Sequence, residues 1–498
     1  MSERVRLDLE PLGQSLEVAI GTPLQDVLFP YGVEFPCGGR GRCKRCRVRV
    51  LEGELESTIE ERSILSDEEL EAGWRLACRA KVTGPMKLDI AQWETTILSD
   101  DSTFEFTPAS GLGVAVDLGT TTLVAQLVDL ATGRVRAVRT ALNPQVVYGA
   151  DVMSRVEMAV GAGGAGKLCD LIREEIGRLI GELTTEPLTV VAIVGNTVMH
   201  HLFCGIDLEP LSHAPFEAVR DGLETFRAAE LGWTLAGDPE VQFLPCLGSF
   251  VGSDILAGIL ATKLHQSQEL AALIDLGTNG EIVIGNRERM LCASTAAGPA
   301  FEGGKISTGM RAATGAITQV ALHDGQLRVQ VLGGESPRGI CGSGLVDAVA
   351  VGLDMGAVRA TGRLNVKGPW MVAEPVSLTQ NDIRELQLAK AAIAAGVRIL
   401  LARLGAAASD IRKVYLAGAF GNYVNRSSAR RIGLLDFPLE MVQPAGNTAL
   451  LGAKMSLFLP QRGAVEHAEI RARTEHLSLA ADERFLDTYV EEMTFPAE

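Results

Sequence analysis

Residues 113–128 read Gly113-Val-Ala-Val-Asp117-Leu-Gly119-Thr120-Thr121-Thr122-Leu-Val-Ala-Gln-Leu-Val. Residues 272–285 read Ala272-Leu-Ile-Asp275-Leu-Gly277-Thr278-Asn279-Gly280-Glu281-Ile-Val-Ile-Gly285. In both, an apolar strand ends on Asp, a Leu-Gly-Thr turn follows, and a second strand returns, which predicts a hairpin at each place. A further strand is expected after each, near Gly133-Arg-Val-Arg-Ala-Val138 and Arg289-Met-Leu-Cys-Ala293. Each copy then meets a later strand that runs into a glycine turn: Val190-Val-Ala-Ile-Val-Gly195-Asn, and Val414-Tyr-Leu-Ala-Gly418-Ala-Phe-Gly421-Asn. Self-similarity of this kind marks a duplicated fold. It predicts two α/β lobes with a cleft between them.

The turns have chemical meaning. A glycine without a side chain lets an anion approach the backbone, and the N–H groups that follow it can hold a phosphate. The candidate phosphate contacts are therefore Gly119, Thr120, Thr121 and Thr122 on one side, and Gly277, Thr278, Asn279 and Gly280 on the other. Asp117 and Asp275 are placed to hold Mg²⁺, usually through water. Phosphoryl transfer asks for little beyond such positioning and charge compensation. Glu281 has two readings: a group that orients or deprotonates an attacking water, or an ordinary strand-edge charge.

Length and composition bound the rest. A chain of 498 residues suggests three domains, give or take one. With 47% apolar residues it is not a disordered chain. A net charge of −16 argues against non-specific nucleic-acid binding. No apolar run reaches the ~18 residues of a membrane span. The N-terminus, MSERVRLDLE, has no h-region, so no membrane association and a cytoplasmic location are expected.

Nine cysteines, an odd number in such a chain, do not read as a disulfide framework. Four of them crowd the first 78 residues: Phe35-Pro-Cys37-Gly-Gly-Arg-Gly-Arg-Cys43-Lys-Arg-Cys46, then Cys78. Plant-type [2Fe–2S] sites use C-x₄-C-x₂-C with a distant fourth Cys. The first gap here is five, which resembles the adrenodoxin-like branch of the ferredoxin family. The competing reading is a structural zinc site on the same four thiolates. Zinc sites usually come as two close pairs, and Cys78 has no cysteine beside it. Alternation over 5–9, 14–20 and 46–50, with a short helix over 22–28, predicts a β-grasp domain around this loop. Arg40, Arg42, Lys44, Arg45, Arg47 and Arg49 form either a solvated rim or a docking face for an acidic partner.

Lesser signals are weighed against plain structural roles. Gly161-Ala-Gly-Gly-Ala-Gly-Lys167 matches a P-loop except for its last position, but it lacks the strand that must precede one. A helix–helix connector is expected instead. His200 and His201 are expected to pack or make a loop contact. Cys169, Cys204, Cys246, Cys292 and Cys341 are expected to be buried inert thiols, although Cys341 in Gly339-Ile-Cys-Gly-Ser-Gly344 has a place near the nucleotide as its other reading.

The two hairpins together with Leu416-Ala-Gly418-Ala-Phe-Gly421 resemble the phosphate-1, phosphate-2 and adenosine motifs of the acetate/sugar kinase, heat-shock chaperone and actin superfamily. That resemblance implies an α/β, duplicated RNase H-like (actin-type) two-lobed ATPase, with ATP and Mg²⁺ as cofactors and Gly418 and Gly421 at the nucleotide. Placed after a [2Fe–2S] ferredoxin domain, the pattern resembles the reductive activators of corrinoid proteins. The stretches 143–151, 194–201, 296–304 and 339–347 are similar to that family's. With the cysteine spacing and the hairpins, the expected cluster ligands are Cys37, Cys43, Cys46 and Cys78, and the expected catalytic groups are Asp117, Asp275 and, on the first of its two readings, Glu281.

The implied acceptor is the Co(II) corrinoid protein of a methyltransferase system, returned to Co(I). An upstream electron donor and a homodimer are further expectations. A nucleotide-driven bias of about 5.5 kcal/mol corresponds to roughly 230 mV for one electron. The expected organisation is a ferredoxin domain over 1–91, a linker over 92–112, lobes over 113–270 and 271–459, and a tail over 460–498. The alternatives are a small-molecule kinase with a regulatory redox domain, and an activator of a 2-hydroxyacyl-CoA dehydratase-like enzyme.

Overall fold

The computed structural model describes residues 3–10, 14–28, 33, 46–90, 104, 106–149, 151–161, 163–277, 279–312, 315–334, 336–459 and 463–497. Cys37, Cys43 and Thr278 lie outside the described residues, as do Arg40, Arg42, Lys44, Arg45, the 11–13 turn and most of the expected linker.

Alternating burial along the first strands builds an N-terminal sheet with one face on a small apolar core. Its strands are β1 (Arg4–Glu10), β2 (Gln14–Ala19), β3 (Arg47–Glu52), β4 (Trp74–Leu76) and β5 (Met86–Asp89), in the order β2-β1-β5-β3-β4. Helix α1 (Leu24–Leu28) and the short helices α2 (Ile59–Arg62) and α3 (Asp67–Glu71) complete the domain. Each of the last two opens with a capping box, from Thr58 and Ser66.

The two hairpins nucleate two six-stranded sheets of the same design. In the first, β6 (Leu112–Leu118), β7 (Thr122–Asp129) and β8 (Val135–Leu142) run antiparallel. Helices α4 (Val152–Gly161) and α5 (Ala165–Leu183) follow, and β9 (Leu188–Gly195) returns parallel to β6. After α6 (Thr197–Cys204), β10 (Glu224–Arg227) and β11 (Glu240–Phe243) extend the sheet to the order β10-β11-β9-β6-β7-β8. Helix α7 (Ser253–Thr262) then leads into the second copy, with β12 (Ala271–Leu276), β13 (Gly280–Gly285) and β14 (Met290–Thr295) again antiparallel.

The second copy carries two small accessory sheets, of β15 (Ala316–His323), β16 (Gln326–Val331) and β17 (Gly339–Ile340), and of β18 (Trp370–Ala373) and β19 (Val376–Leu378). Helices α8 (Gly342–Asp354) and α9 (Gln380–Leu404) pack beside them on the main sheet. Strand β20 (Lys413–Ala417) lies parallel to β12 and precedes α10 (Gly418–Tyr423) and α11 (Arg426–Arg431). Strand β21 (Val442–Gly446) and helix α12 (Thr448–Ser456) come next.

The lobes exchange helices. Helix α7 buries Ile255, Leu256 and Ile259 against Leu273 and Val283 of the second sheet. Helix α12 buries Ala449, Leu450 and Ala453 against Ala115, Val190 and Ala192 of the first. The two cross at close range, because a Cβ on Gly452 would collide with the carbonyl of Ala257. Neither lobe can keep both faces of its sheet dry without the other half's helix.

The segments on either side of the lobes are anchored too. Phe104 and Phe106, within the stretch expected as a linker over 92–112, pack their rings at 5.6 and 4.7 Å from that of Phe458. This part of the linker is a fixed attachment, and the polar composition around it hid the aromatic pair. After α13 (Ala464–Arg473), β22 (Thr474–His476) adds a parallel strand to β14, and α14 (Phe485–Glu491) lies on α9. Buried Lys390 of α9 donates to the carbonyl of Thr494 at 2.9 Å, so the acidic tail is part of the second lobe. Among the described residues no helix is long and apolar enough to cross a membrane.

Candidate functional site

The cysteine edge is set by strand pairing. Cys46 directly precedes β3, and Cys78 lies in the helical turn after β4. Arg47 pairs with Leu76, and the N–H of Ala77 donates to the carbonyl of Cys46 at 2.8 Å, which brings both buried thiols to one end of the sheet. Buried Glu61 holds the approach to Cys78, accepting the Leu76 N–H at 2.5 Å. Two soft donors held at one edge fit the four-thiolate set that an iron–sulfur cluster requires. The other two, Cys37 and Cys43, lie outside the described residues.

Arg47 is a correction to the basic docking face. It is buried, its guanidinium lies 4.6 Å over the Trp74 ring, and it pairs with Glu69 at 2.9 Å. Charge alternation in the sequence could not show that this arginine points inward. Arg49 stays exposed and donates to the Ala72 carbonyl.

The second site lies at the carboxyl ends of the parallel strands, where α/β folds place their ligands. In the first lobe β6 ends on Asp117 and Leu118, and the turn presents Gly119, Thr120 and Thr121, with Thr122 exposed where β7 begins. Asn196, which caps α6, donates its amide to the Thr120 hydroxyl at 2.9 Å. Asn447, which caps α12 from the other half of the chain, donates to Asp117 Oδ2 at 2.8 Å. Burial pushes the Asp117 carboxyl up to about 6, opposed by that hydrogen bond.

In the second lobe Asp275 stands directly opposite Glu281 in the β12–β13 ladder, and Glu281 opposite Ser294 of β14. Residues paired in this way share one face at short range. The Ser294 hydroxyl donates to Glu281 Oε1 at 3.3 Å. Asp254, in the first turn of α7, reaches the same place from the first half of the chain. Burial, then the charge of Asp117, pushes Asp275 up to about 7. Burial, then the charges of Asp275 and Asp117, pushes Asp254 up to about 7 as well. Glu281 is pushed well above the ordinary carboxylate range by burial and by the charges of Asp254 and Asp275. Four carboxyl groups from both lobes thus face one another in the cleft. Such a group either keeps protons or takes up a cation. Among the described residues no three His, Cys, Asp or Glu side chains form a group that could hold a metal ion.

Two glycines close the site in equivalent ways. A Cβ on Gly195 would come within 2.7 Å of the Leu118 carbonyl, and one on Gly418 within 2.7 Å of the Leu276 carbonyl. Gly418, at φ +83°, would also place its Cβ 2.5 Å from Asp275 Oδ1. Gly277 turns the second hairpin, its N–H donating to the Asn279 carbonyl at 3.0 Å. Gly280 and Gly421 have packing reasons: a Cβ on the first would collide with Ile393 of α9, and one on the second would meet Leu416 at 3.0 Å.

The remaining signals resolve plainly. The glycine-rich stretch before Lys167 connects α4 to α5, and Lys167 lies 4.5 Å over the Tyr148 ring. His200 and His201 are buried, hydrogen-bonded to the carbonyls of Gly222 and Thr197, and burial lowers both. The five other cysteines are buried, and burial pushes Cys246 up to about 12. Cys341 is the residue directly before α8, with its sulfur 3.3 Å from Ser343 Oγ. Sequence reading missed Asp254, Gly195, Asn196 and Asn447. Gly195-Asn196 was visible as the counterpart of the Gly418 turn, whereas Asp254 and Asn447 stand at the starts of α7 and α12, the equivalent helices that follow β11 and β21, and those starts carry no shared acidic or amide position.

Comparison with known proteins covers nearly the whole chain. Residues 7–83 match the family described as the 2Fe-2S iron-sulfur cluster binding domain, 112–267 the RACo middle region, and 269–498 the C-terminal domain of RACo, the ASKHA domain. The chain is 30% identical to the corrinoid activation enzyme RamQ of Eubacterium limosum over 98% of this chain and 97% of that one. It is 28% identical to the [Co(II) methylated amine-specific corrinoid protein] reductase of Methanosarcina barkeri, over 77% of each. A solved structure titled reductive activator for corrinoid, iron-sulfur protein superposes over 99% of this chain and 98% of its own, with TM-score 0.70 and 28% identity.

Proposed function

We propose, from the premise that this chain belongs to the family of corrinoid-protein reductive activators, that it uses ATP to return the Co(II) corrinoid of a methyltransferase-system protein to Co(I). The observation that carries the ATP half is the meeting of Asp117, Asp254, Asp275 and Glu281, drawn from both lobes, beside the two glycine turns.

The residues divide the work. Cys46 and Cys78, with Cys37 and Cys43, would hold the [2Fe–2S] cluster, which supplies a single electron when bound. The turns at Gly119 and Gly277 would grip the phosphates from opposite lobes through backbone N–H groups. Asp117 and Asp275 would hold Mg²⁺ through water, with Asn447 fixing the rotation of Asp117. Glu281, whose carboxyl is pushed up by burial and by the charges of Asp254 and Asp275, would take the proton of an attacking water once a cation relieves those charges. The exchanged helices α7 and α12 carry Asp254 and Asn447 at their starts, so a change in lobe closure at the nucleotide would move the helices that cover both sheets.

Uphill transfer needs a ligand that favours one state of the acceptor complex over the other. ATP-dependent closure supplies that bias, in a cytoplasmic protein fed by a separate electron donor. The test is anaerobic. Reduced protein, ATP and Mg²⁺ are mixed with a Co(II) corrinoid protein encoded beside it, and Co(I) is followed in the visible spectrum. Co(I) should accumulate only with ATP present. Phosphorylation of a metabolite without Co(I) would place the chain among small-molecule kinases instead.

A further inference from the structure

The stretch Asn143-Pro-Gln145-Val-Val-Tyr148-Gly149 and the arginine of α4 lie directly behind the first phosphate turn. Arg155 is fully buried, yet among the described residues the acceptors it uses are neutral. Nε donates to the Gly149 carbonyl at 2.9 Å, and Nη1 donates to Gln145 Oε1 at 3.1 Å and to the Met199 sulfur at 3.5 Å. Nη2 donates to the carbonyl of Thr120 in the turn itself. Asn143 takes the flanking carbonyls, donating from Nδ2 to Gly119 at 3.0 Å and from its backbone N–H to Thr121 at 2.8 Å. Gln145 is itself fixed, donating from Nε2 to the Leu168 carbonyl at 2.8 Å.

Three successive carbonyls of the turn are therefore drawn toward this scaffold. In a trans peptide the N–H points opposite to the C=O of the same unit. Holding the carbonyls of Gly119 and Thr120 in place turns the N–H groups of Thr120 and Thr121 the other way, as an anion-binding turn requires. Asp151, whose charge acts on Arg155, is engaged in capping α4, where its Oδ1 accepts the Ser154 N–H at 2.8 Å. Burial pulls the Arg155 guanidinium down to about 10, with only Asp151 opposing. A charge without a paired carboxylate, close behind the turn, adds a field that an anion in front of it would feel.

We propose that Arg155 is a positioning residue for nucleotide phosphates: with Asn143 it orients the Thr120 and Thr121 N–H groups, and it supplies an unneutralised positive charge behind them. This rests on the ATPase reading above, and the experiment separates the two. A fluorescent ADP is displaced from the full-length protein by ADP or by adenosine, in the wild type, Arg155→Met and Arg155→Lys. Loss of the fork and charge in Arg155→Met should weaken ADP by about tenfold or more, the equivalent of about 1.4 kcal/mol. Adenosine, which has no phosphate, should bind within twofold of the wild type. Arg155→Lys keeps the charge without the planar fork and should fall between. Should Arg155→Met fail to fold, Arg155→Lys alone decides by the same ADP-to-adenosine ratio. Equal loss for both ligands would reduce Arg155 to a structural role, and no loss for either would overturn the proposal. A wild type that binds no nucleotide would overturn the ATPase reading, and this inference with it.

Discussion

The two Asp-Leu-Gly-Thr hairpins share a sequence and a backbone plan, but they are built into their lobes differently. The last registered pair is Leu118 with Leu123 in the first and Leu276 with Gly280 in the second, so four residues (119–122) turn one and three (277–279) the other. One residue of length changes what stands beside the aspartate. Asp117 faces Val124 across the ladder, while Asp275 faces Glu281. A single-residue change of register exchanges the faces of a strand, and here it converts an apolar neighbour into a carboxyl group. The supports differ as well. Polar side chains (Asn143, Arg155 and Asn196) hold the first turn, whereas the close backbone of Gly418 and two further carboxyl groups surround the second. On the proposed ATPase reading, duplication has kept the grip and divided the chemistry: the first hairpin would hold and the second would react.

The largest test of that division compares the two aspartates. Asp275→Asn should lower ATP turnover by about 10²–10³-fold, the range seen when a preorganised charge at a reacting centre is removed. Asp117→Asn should cost less, about tenfold, because the amide still accepts the hydrogen bond from Asn447 and keeps its place. Iron–sulfur absorbance should be unchanged in both, since the cysteine edge is a separate sheet. Steady-state phosphate release under reducing conditions measures this. Equal losses would break the asymmetry.

The two closing glycines give the next contrast. Gly418→Ala adds a Cβ 2.5 Å from Asp275 Oδ1 at a φ of +83°, so the backbone is strained and the reacting carboxylate is displaced. Turnover should fall by about 10–100-fold, at a strain cost of about 1–2 kcal/mol. Gly195→Ala meets only the Leu118 carbonyl, at a backbone conformation open to any residue, and should cost severalfold. Turnover and thermal unfolding on the same preparations would show whether either effect is merely loss of fold.

Asn447 probes the holding side more gently. Asn447→Ser keeps a side chain that can cap α12 but is too short to reach Asp117. The lost hydrogen bond is worth about 1 kcal/mol, so Mg-nucleotide affinity should weaken by about fivefold while stability is held. Titration of Mg²⁺ at fixed nucleotide reads it. A loss of stability without a change in affinity would mean that the cap alone matters.

Much of this was legible in the sequence because it is local and repeated. The hairpins, the later glycine strands and the cysteine spacing are each read within a few residues, and the duplication supplies a second copy as a check. Asp254 and Asn447 were not legible, because each sits alone at the start of a helix that crosses to the other lobe. Only the helix exchange brings them to the cleft, and although α7 and α12 are equivalent helices of the two copies, the residues at their starts differ. Glu281 was ambiguous for a related reason: its role depends on the register of one turn, which composition does not fix. Arg47 misled because a basic run looks the same whether a side chain points to water or to a tryptophan. The aromatic pair Phe104 and Phe106 was lost within a polar stretch.

The smallest effect expected tests whether the reacting side is under charge strain before any cation arrives. Asp254 sits at about 7 in the folded protein, above its ordinary 3.8, because of burial and the charges of Asp275 and Asp117. The folded state therefore binds more protons than the unfolded state between those values, and stability falls as pH rises through that window. Above pH 7 the full cost is present; below about pH 4 none of it is. Asp254→Asn removes one charge and relieves Asp275, so in the metal-free protein it should raise stability at pH 8 by on the order of 1 kcal/mol, about 2–4 °C in the melting of a lobe of this size. At about pH 4, where that cost has vanished, the variant and the wild type should melt almost together. Added Mg²⁺ and ADP should reverse the order at pH 8, because the wild type then gains a partner for the charge that the variant has lost. If Asp254→Asn destabilises equally at both pH values, the carboxyl group is an ordinary structural acceptor and the two hairpins differ less than their registers imply.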